Sequence, residues 1–150
     1  VQLAEVPRSV VASPALLARF PEVKTPEDLQ ALHWIAISTF YQRHIELFDG
    51  SAQPMRIAIT PRLSTDSLYV ARNTVLTGLG VAMVSSWTVK EDIEEGRLIH
   101  LLPEWQPAAL PVHLVYPWSR YYPARLRRFL EMMKQVMPDI AGMRKPVSEQ

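Results

Sequence analysis

ITPRLSTDSLYVARNTVLTGLGVAMVSSWTVKEDIEEG, residues 59–96, is the stretch on which the fold turns, because it carries two strand-to-helix turns in succession. After the cluster Ser64-Thr65-Asp66-Ser67, apolar Leu68, Ala71, Val75 and Leu79 recur at three- and four-residue steps, which predicts an amphipathic helix. Gly78 ends it as a left-handed cap. Gly80 then releases the unbroken apolar run Val81-Ala82-Met83-Val84, too short for a helix and without the alternation of a half-wet strand. That run predicts a buried parallel strand. Ser85 and Ser86 are N-cap candidates for a second helix bearing Trp87, Val89 and Ile93, which stops at Gly96. The acidic pair Glu94-Glu95 sits against the helix dipole and reads as a solubility feature.

In open α/β sheets ligands bind beyond the carboxyl ends of the strands, where N–H groups of helix N-termini point into a crevice. Residues 63–67 and 85–87 would lie at such a rim. Their short hydroxyls, next to free helix donors, can hold a small carboxylate or amide without a full positive charge. The same serines and threonines can also serve only as caps, and Asp66 favours that reading, since as a cap it would satisfy the donors and repel an anion.

Working outward, a cap cluster, a helix closed by Gly78-Leu79-Gly80, an apolar strand, a helix and then Glu95-Gly96-Arg97-Leu98-Ile99-His100-Leu101-Leu102-Pro103-Glu104-Trp105 follow in one order. This set resembles the effector-binding (LysR substrate-binding) domain of bacterial LysR-type transcriptional regulators. Val11-Ala12-Ser13-Pro14-Ala15-Leu16-Leu17-Ala18 is similar to the segment that opens the family's second lobe, and Tyr116-Pro117-Trp118-Ser119-Arg120 to the one that re-enters the first. The resemblance covers nearly the whole chain. It implies an α/β, type-2 periplasmic-binding-protein-like fold, with one complete α/β lobe plus the returning strand and helix of the other.

The rest of the chain fits around that reading. Residues 10–12 read as a strand, with Ser13 capping a helix that starts at Pro14; Leu16, Leu17 and Phe20 face inward. Thr25 and Asp28 have the spacing of a capping box for a short helix ending near Leu32. Residues 34–37 read as a strand, and 41–48 and 55–59 as a hairpin turned by Asp49-Gly50. After a strand at 98–102, the proline-rich stretch 103–111 is the expected lobe boundary. A strand at 112–116 precedes the longest helix, opened by Pro123 and closed by Pro138. Leu126, Phe129, Leu130, Met133 and Val136 lie on one face and Arg125, Arg127, Arg128 and Lys134 on the other, which reads as solvated. The expected division is therefore 1–103 for the second lobe with its entry strand, 104–143 for the hinge return and first-lobe strand and helix, and 144–150 for a loose tail.

With 150 residues, 48% of them hydrophobic, the chain has the composition of a globular domain, and its formal charge of +1 is no footprint for nucleic acid. No apolar run approaches the roughly 18 residues of a membrane span, and Val1 opens without the pattern of a signal peptide. No cysteine is present, which fits a reducing compartment. The four histidines, His33, His44, His100 and His113, form none of the spaced pairs of a zinc site. Gly78-Leu79-Gly80 precedes a strand and lacks the third glycine of a dinucleotide loop; no nucleophile elbow or Walker loop occurs. Glu91, Asp92, Glu94 and Glu95 read as a solvated acidic face and not as a catalytic pair. No enzymatic role, metal or cofactor is expected.

What remains is implied by the resemblance. A small effector would settle between the lobes, contacting Ser64, Thr65 and Asp66, with Ser13 near the hinge as a further contact. Thr65 and Ser64 would hydrogen-bond a small carboxylate-bearing effector, although Thr65 stands where the family often has asparagine. The protein would be cytoplasmic and a homodimer or tetramer without membrane contact. Promoter DNA would be met only through an N-terminal winged helix-turn-helix that, with the linker helix and the opening of the first lobe, is not in this chain. By itself the chain would then bind neither DNA nor effector well, and its exposed apolar surface would drive association. A free-standing solute-binding protein shares this fold and is the alternative; an enzyme, which would need paired buried acid and base groups, is the less favoured third reading.

Overall fold

A computed structural model describes residues 1–41 and 43–147 of the chain. They fall into two units, Arg8–Ala108 and, separately, Val1–Pro7 with the described residues from Ala109 onward. The smaller unit opens with β1 (Gln2–Val6), antiparallel to a strand at Leu110–His113.

In the larger unit the apolar runs of the sequence become the middle of a mixed sheet. β2 (Arg8–Ala12) leads into α1 (Pro14–Leu17), and a 3₁₀ turn at Pro26–Ala31 into β3 (Trp34–Ile37). The Asp28 carboxylate accepts from the N–H groups of Lys24 and Thr25 at 2.8 Å each, as the capping spacing predicts. β4 (His44–Phe48) and β5 (Met55–Ala58) form the expected hairpin, followed by β6 (Pro61–Thr65) and α2 (Leu68–Leu76). β7 (Ala82–Ser85), α3 (Ser86–Glu94), β8 (Ile99–His100) and β9 (Gln106–Pro107), which joins β4, complete the unit.

β3 and β6 run parallel, with Ile37 level with Thr65. Val81 adds one parallel bridge to Trp34, but along its length β7 pairs antiparallel with β2, Arg8 standing opposite Ser85. The expected parallel strand is thus parallel only at its first link. An unbroken apolar run reports burial on both faces and carries no information on direction; all four residues of β7 are indeed buried. Where β3 and β7 separate, the buried Tyr41 phenol bridges them, donating to the Ile35 carbonyl (2.6 Å) and accepting from the Met83 N–H (2.9 Å). Tyr41 was expected inside a strand, but β4 starts only at His44; Gln42 lies outside the described residues.

β6 is absent from the sequence reading. Its side chains are half-buried or exposed, so it has no apolar signature, and Ser64 and Thr65 belong to this strand and not to the helix start. Two glycines make the next crossing possible. Gly78 has φ +80° and closes α2, while a Cβ on Gly80 would stand 2.8 Å from the His33 carbonyl oxygen.

The acidic face of α3 also differs from expectation, because Asp92 is fully buried. It accepts from Arg72 Nε (2.7 Å) and Nη2 (2.9 Å) and from Arg97 Nε (2.9 Å). Three residues beyond buried Val89, it lies on the inward face of the helix, which a count of neighbouring acids does not show. Burial alone would raise its pKa; the hydrogen bonds from Arg72 and Arg97 outweigh that and hold it below the usual carboxylate range.

In the smaller unit, β10 (Leu110–His113) starts before the strand expected at 112–116, and α4 (Ala124–Val136) follows Pro123 as predicted. No α4 residue is buried, and Phe129 and Val136 on its apolar face are 43% and 50% exposed. Two expected boundaries shift. Residues 1–7 group with β10 through the β1 ladder, and 106–107 stay with the larger unit through β4. The beginning of the expected tail is tied down: Arg144 and Glu5 exchange two backbone hydrogen bonds of 2.9 Å, and the Val147 N–H donates to the Glu5 carboxylate. Residues 148–150 lie outside the described residues.

Candidate effector-binding rim

Parallel pairing puts the carboxyl ends of β3, β6 and β7 at one edge of the larger unit, and α2 and α3 both start there. At the first turn the Thr65 and Ser67 hydroxyls both serve the backbone. Thr65 Oγ1 accepts from the Ser67 N–H (3.1 Å), and Ser67 Oγ, the N-cap, accepts from the Val70 N–H (3.4 Å). The Thr65 carbonyl accepts from the Ser38 N–H (2.9 Å) and hydroxyl (3.3 Å), fastening the segment after β3 to the end of β6. Ser64 and Asp66 are exposed. Ser67 caps α2, so Asp66 does not neutralise the helix donors as a cap would.

Ser64, Thr65 and Asp66 are therefore adjacent at the rim, but Ser13 is not with them. β2 runs against β7, so its carboxyl end, and Ser13 after it, lie at the opposite edge. There the buried Ser13 Oγ accepts from the Leu16 N–H (3.1 Å) as the α1 cap and sits where a Gly78 side chain would reach. The same reversal brings the amino end of β2 to the rim instead. The Ser9 hydroxyl is 2.7 Å from that of Ser86, and Arg8 Nε donates to the Ala108 carbonyl (2.8 Å). Burial pulls the Arg8 pKa down, against a raising influence of Tyr41; burial in turn pushes the Tyr41 pKa up, so that phenol is neutral at physiological pH.

The rim also carries a ring pair: Tyr69 and Trp87, each the second residue of its helix, meet edge to face at 6.4 Å and are 60% and 46% exposed. Ser38, Ser9 and Arg8 are the rim residues that sequence reasoning missed. Ser38 directly follows the buried strand at its carboxyl end, a signal that was available. Arg8 and Ser9 depend on strand direction, which was not. Among the described residues no three histidine or acidic side chains gather as metal ligands.

Strands in mixed order around a central parallel pair, with helix N-termini at one rim, make an α/β lobe of the type-2 periplasmic-binding kind. The LysR substrate binding domain family matches residues 1–138, and the chain belongs to that family. The HTH-type transcriptional regulator PtxR of Pseudomonas aeruginosa is 30% identical over 134 residues, 89% of this chain and 43% of PtxR. Among solved structures, the Vibrio cholerae virulence activator AphB superimposes with a TM-score of 0.70 at 20% identity, over 91% of this chain and 46% of that one. The regulatory domain of CrgA from Neisseria meningitidis gives 0.58 at 25% identity, over 91% and 67%. The chain thus spans less than half the length of the curated relative and of full-length AphB. Among the described residues no helix is long and apolar enough to cross a membrane.

Proposed function

We propose that this chain is the effector-sensing part of a LysR-type transcription regulator and that its rim contacts a small carboxylate-bearing effector through Thr65 and Ser64, with Asp66 beside them. The observation that carries this reading is the parallel β3–β6 pair, which delivers Ser38, Ser64, Thr65 and the α2 N-terminus to one edge in a chain that belongs to this family. Ser64 is exposed and Thr65 only half-buried, so their hydroxyls can reach a ligand. Ser13 has no part in this contact, because its oxygen is buried and already accepting. The effector acts by binding one quaternary arrangement better than another. DNA contact belongs to a part of the regulator outside this chain, and the protein works in the cytoplasm, without enzymatic turnover, as a dimer or tetramer. The exposed apolar face of α4 supports self-association.

The test is effector affinity in the intact regulator. Losing two neutral hydrogen bonds in a Ser64→Ala, Thr65→Val double variant is expected to weaken binding about tenfold or more. Unchanged affinity would overturn the assignment of the rim.

A further inference from the structure

The turn from β7 into α3 has unsatisfied polar groups of a consistent kind. Ser85 occupies the N-cap position, is only 7% exposed, and its hydroxyl makes no cap bond or any other hydrogen bond among the described residues. Thr88 Oγ1, in the first turn, is buried without a partner among the described residues. A buried hydroxyl without a partner, as Thr88 has, is uncommon, and an uncapped first turn leaves N–H groups of the helix unsatisfied. Directly opposite Ser85 on the antiparallel ladder, and so on the same sheet face, stands Arg8. Its Nε is held by the Ala108 carbonyl, and its terminal nitrogens have no acid partner among the described residues. The neutral Tyr41 phenol supplies no counter-charge. A partly buried guanidinium, which does not deprotonate, is costly without an anion.

We propose that Arg8, Ser85 and the first turn of α3 form a seat for a compact oxyanion, with the terminal guanidinium nitrogens, the Ser85 hydroxyl and the helix N–H groups as donors. This deepens the effector reading and rests on it for its purpose: the seat holds the charged group of the effector, while Ser64 and Thr65 contact its polar remainder. A carboxylate, a sulfate or a phosphate group presents the shared chemistry, oxygens arranged for fork-like donation by arginine.

The test is a backbone-amide NMR titration of the 150-residue chain with sodium benzoate and, separately, sodium sulfate, against sodium chloride at matched ionic strength. Saturable shifts at the Trp87 and Thr88 amides and at the Arg8 Nε–H are expected with at least one of the two anions, and which anion binds tighter identifies its class. Arg8→Gln is expected to weaken binding about tenfold and Ser85→Ala a few-fold. Should Arg8→Gln lose the fold, Arg8→Lys takes its place, keeping the charge but not the fork. Shifts no larger than in chloride, or equal binding by the arginine variant and Ser85→Ala, would overturn the seat. The Ser64→Ala, Thr65→Val variant separates the two readings. If it abolishes anion binding, the anion sits at the α2 turn and this seat is wrong while the effector reading stands. If the anion still binds at α3 but no effector of the intact regulator competes with it, the seat stands and the effector reading falls.

Discussion

The turn from β6 into α2 and the turn from β7 into α3 are both rich in serine and threonine, yet they are in different states. In the first, Thr65 and Ser67 oxygens accept backbone N–H groups and the helix is capped. In the second, Ser85 holds the N-cap position without a cap bond, Thr88 Oγ1 has no partner among the described residues, and Ser86 turns to Ser9. A hydroxyl can therefore look like a cap in sequence and either be one or be left open. The neighbouring strand decides: β6 is an exposed edge beside β3, while β7 is covered by β2 and faces Arg8.

The largest effect that would disturb this comparison comes from what ties the two helices together. Arg72 of α2 and Arg97 after α3 converge on buried Asp92, so Asp92→Ala is expected to cost about 3 kcal/mol, read by urea unfolding, because two partly exposed guanidinium groups lose the buried carboxylate that joins them. The same group sets a pH dependence. Its folded-state pKa lies below the unfolded one, so its stabilisation is present above about pH 4 and lost as pH falls through the folded value. His100 adds to the loss from a higher pH. Burial lowers its pKa, the unfolded chain takes up the proton first, and stability starts to fall below about pH 6.5. In His100→Gln the onset of acid destabilisation is expected to move to lower pH.

Next in size is Gly80→Ala, expected to cost about 2 kcal/mol, since the new methyl would stand 2.8 Å from a backbone oxygen that has little room to retreat. An unchanged melting temperature would mean that β3 and β7 are not held as closely as described.

The two caps give the sharpest contrast. Ser67→Ala is expected to cost about 1 kcal/mol, and Ser85→Ala less than about 0.5 kcal/mol, because only the first serine bonds its helix. Equal losses in paired thermal melts would erase the difference between the turns. The smallest change is Thr88→Val, which removes an unpartnered buried oxygen at nearly constant shape and is expected to stabilise by up to about 1 kcal/mol.

Much of the fold was legible because it follows from local chemistry. The strands around Val10, Trp34 and Ile57 announce themselves by apolar runs, and Ser13, Thr25, Gly78 and Gly96 mark helix ends by residue type. β6 was not legible, because an edge strand with polar side chains has no periodic signal. Asp92 was misread because its two arginine partners lie 20 and 5 residues away in sequence. Of the candidate site, Ser64, Thr65 and Asp66 were found through turn chemistry and family resemblance, and they do stand together. Ser13 is separated from them by the reversal of β2.

By itself, then, the sequence determined most of the strands and helices with an apolar signature, where most helices begin and end, and the family to which the chain belongs, because burial pattern and capping are properties of neighbouring residues. The tertiary structure alone decided strand direction, the pairing of Arg8 with Ser85, the burial of Asp92, and which hydroxyls at the rim are engaged and which are open. Those depend on contacts between residues far apart in the chain, and apolar runs and capping residues read the same whichever way the strands finally run.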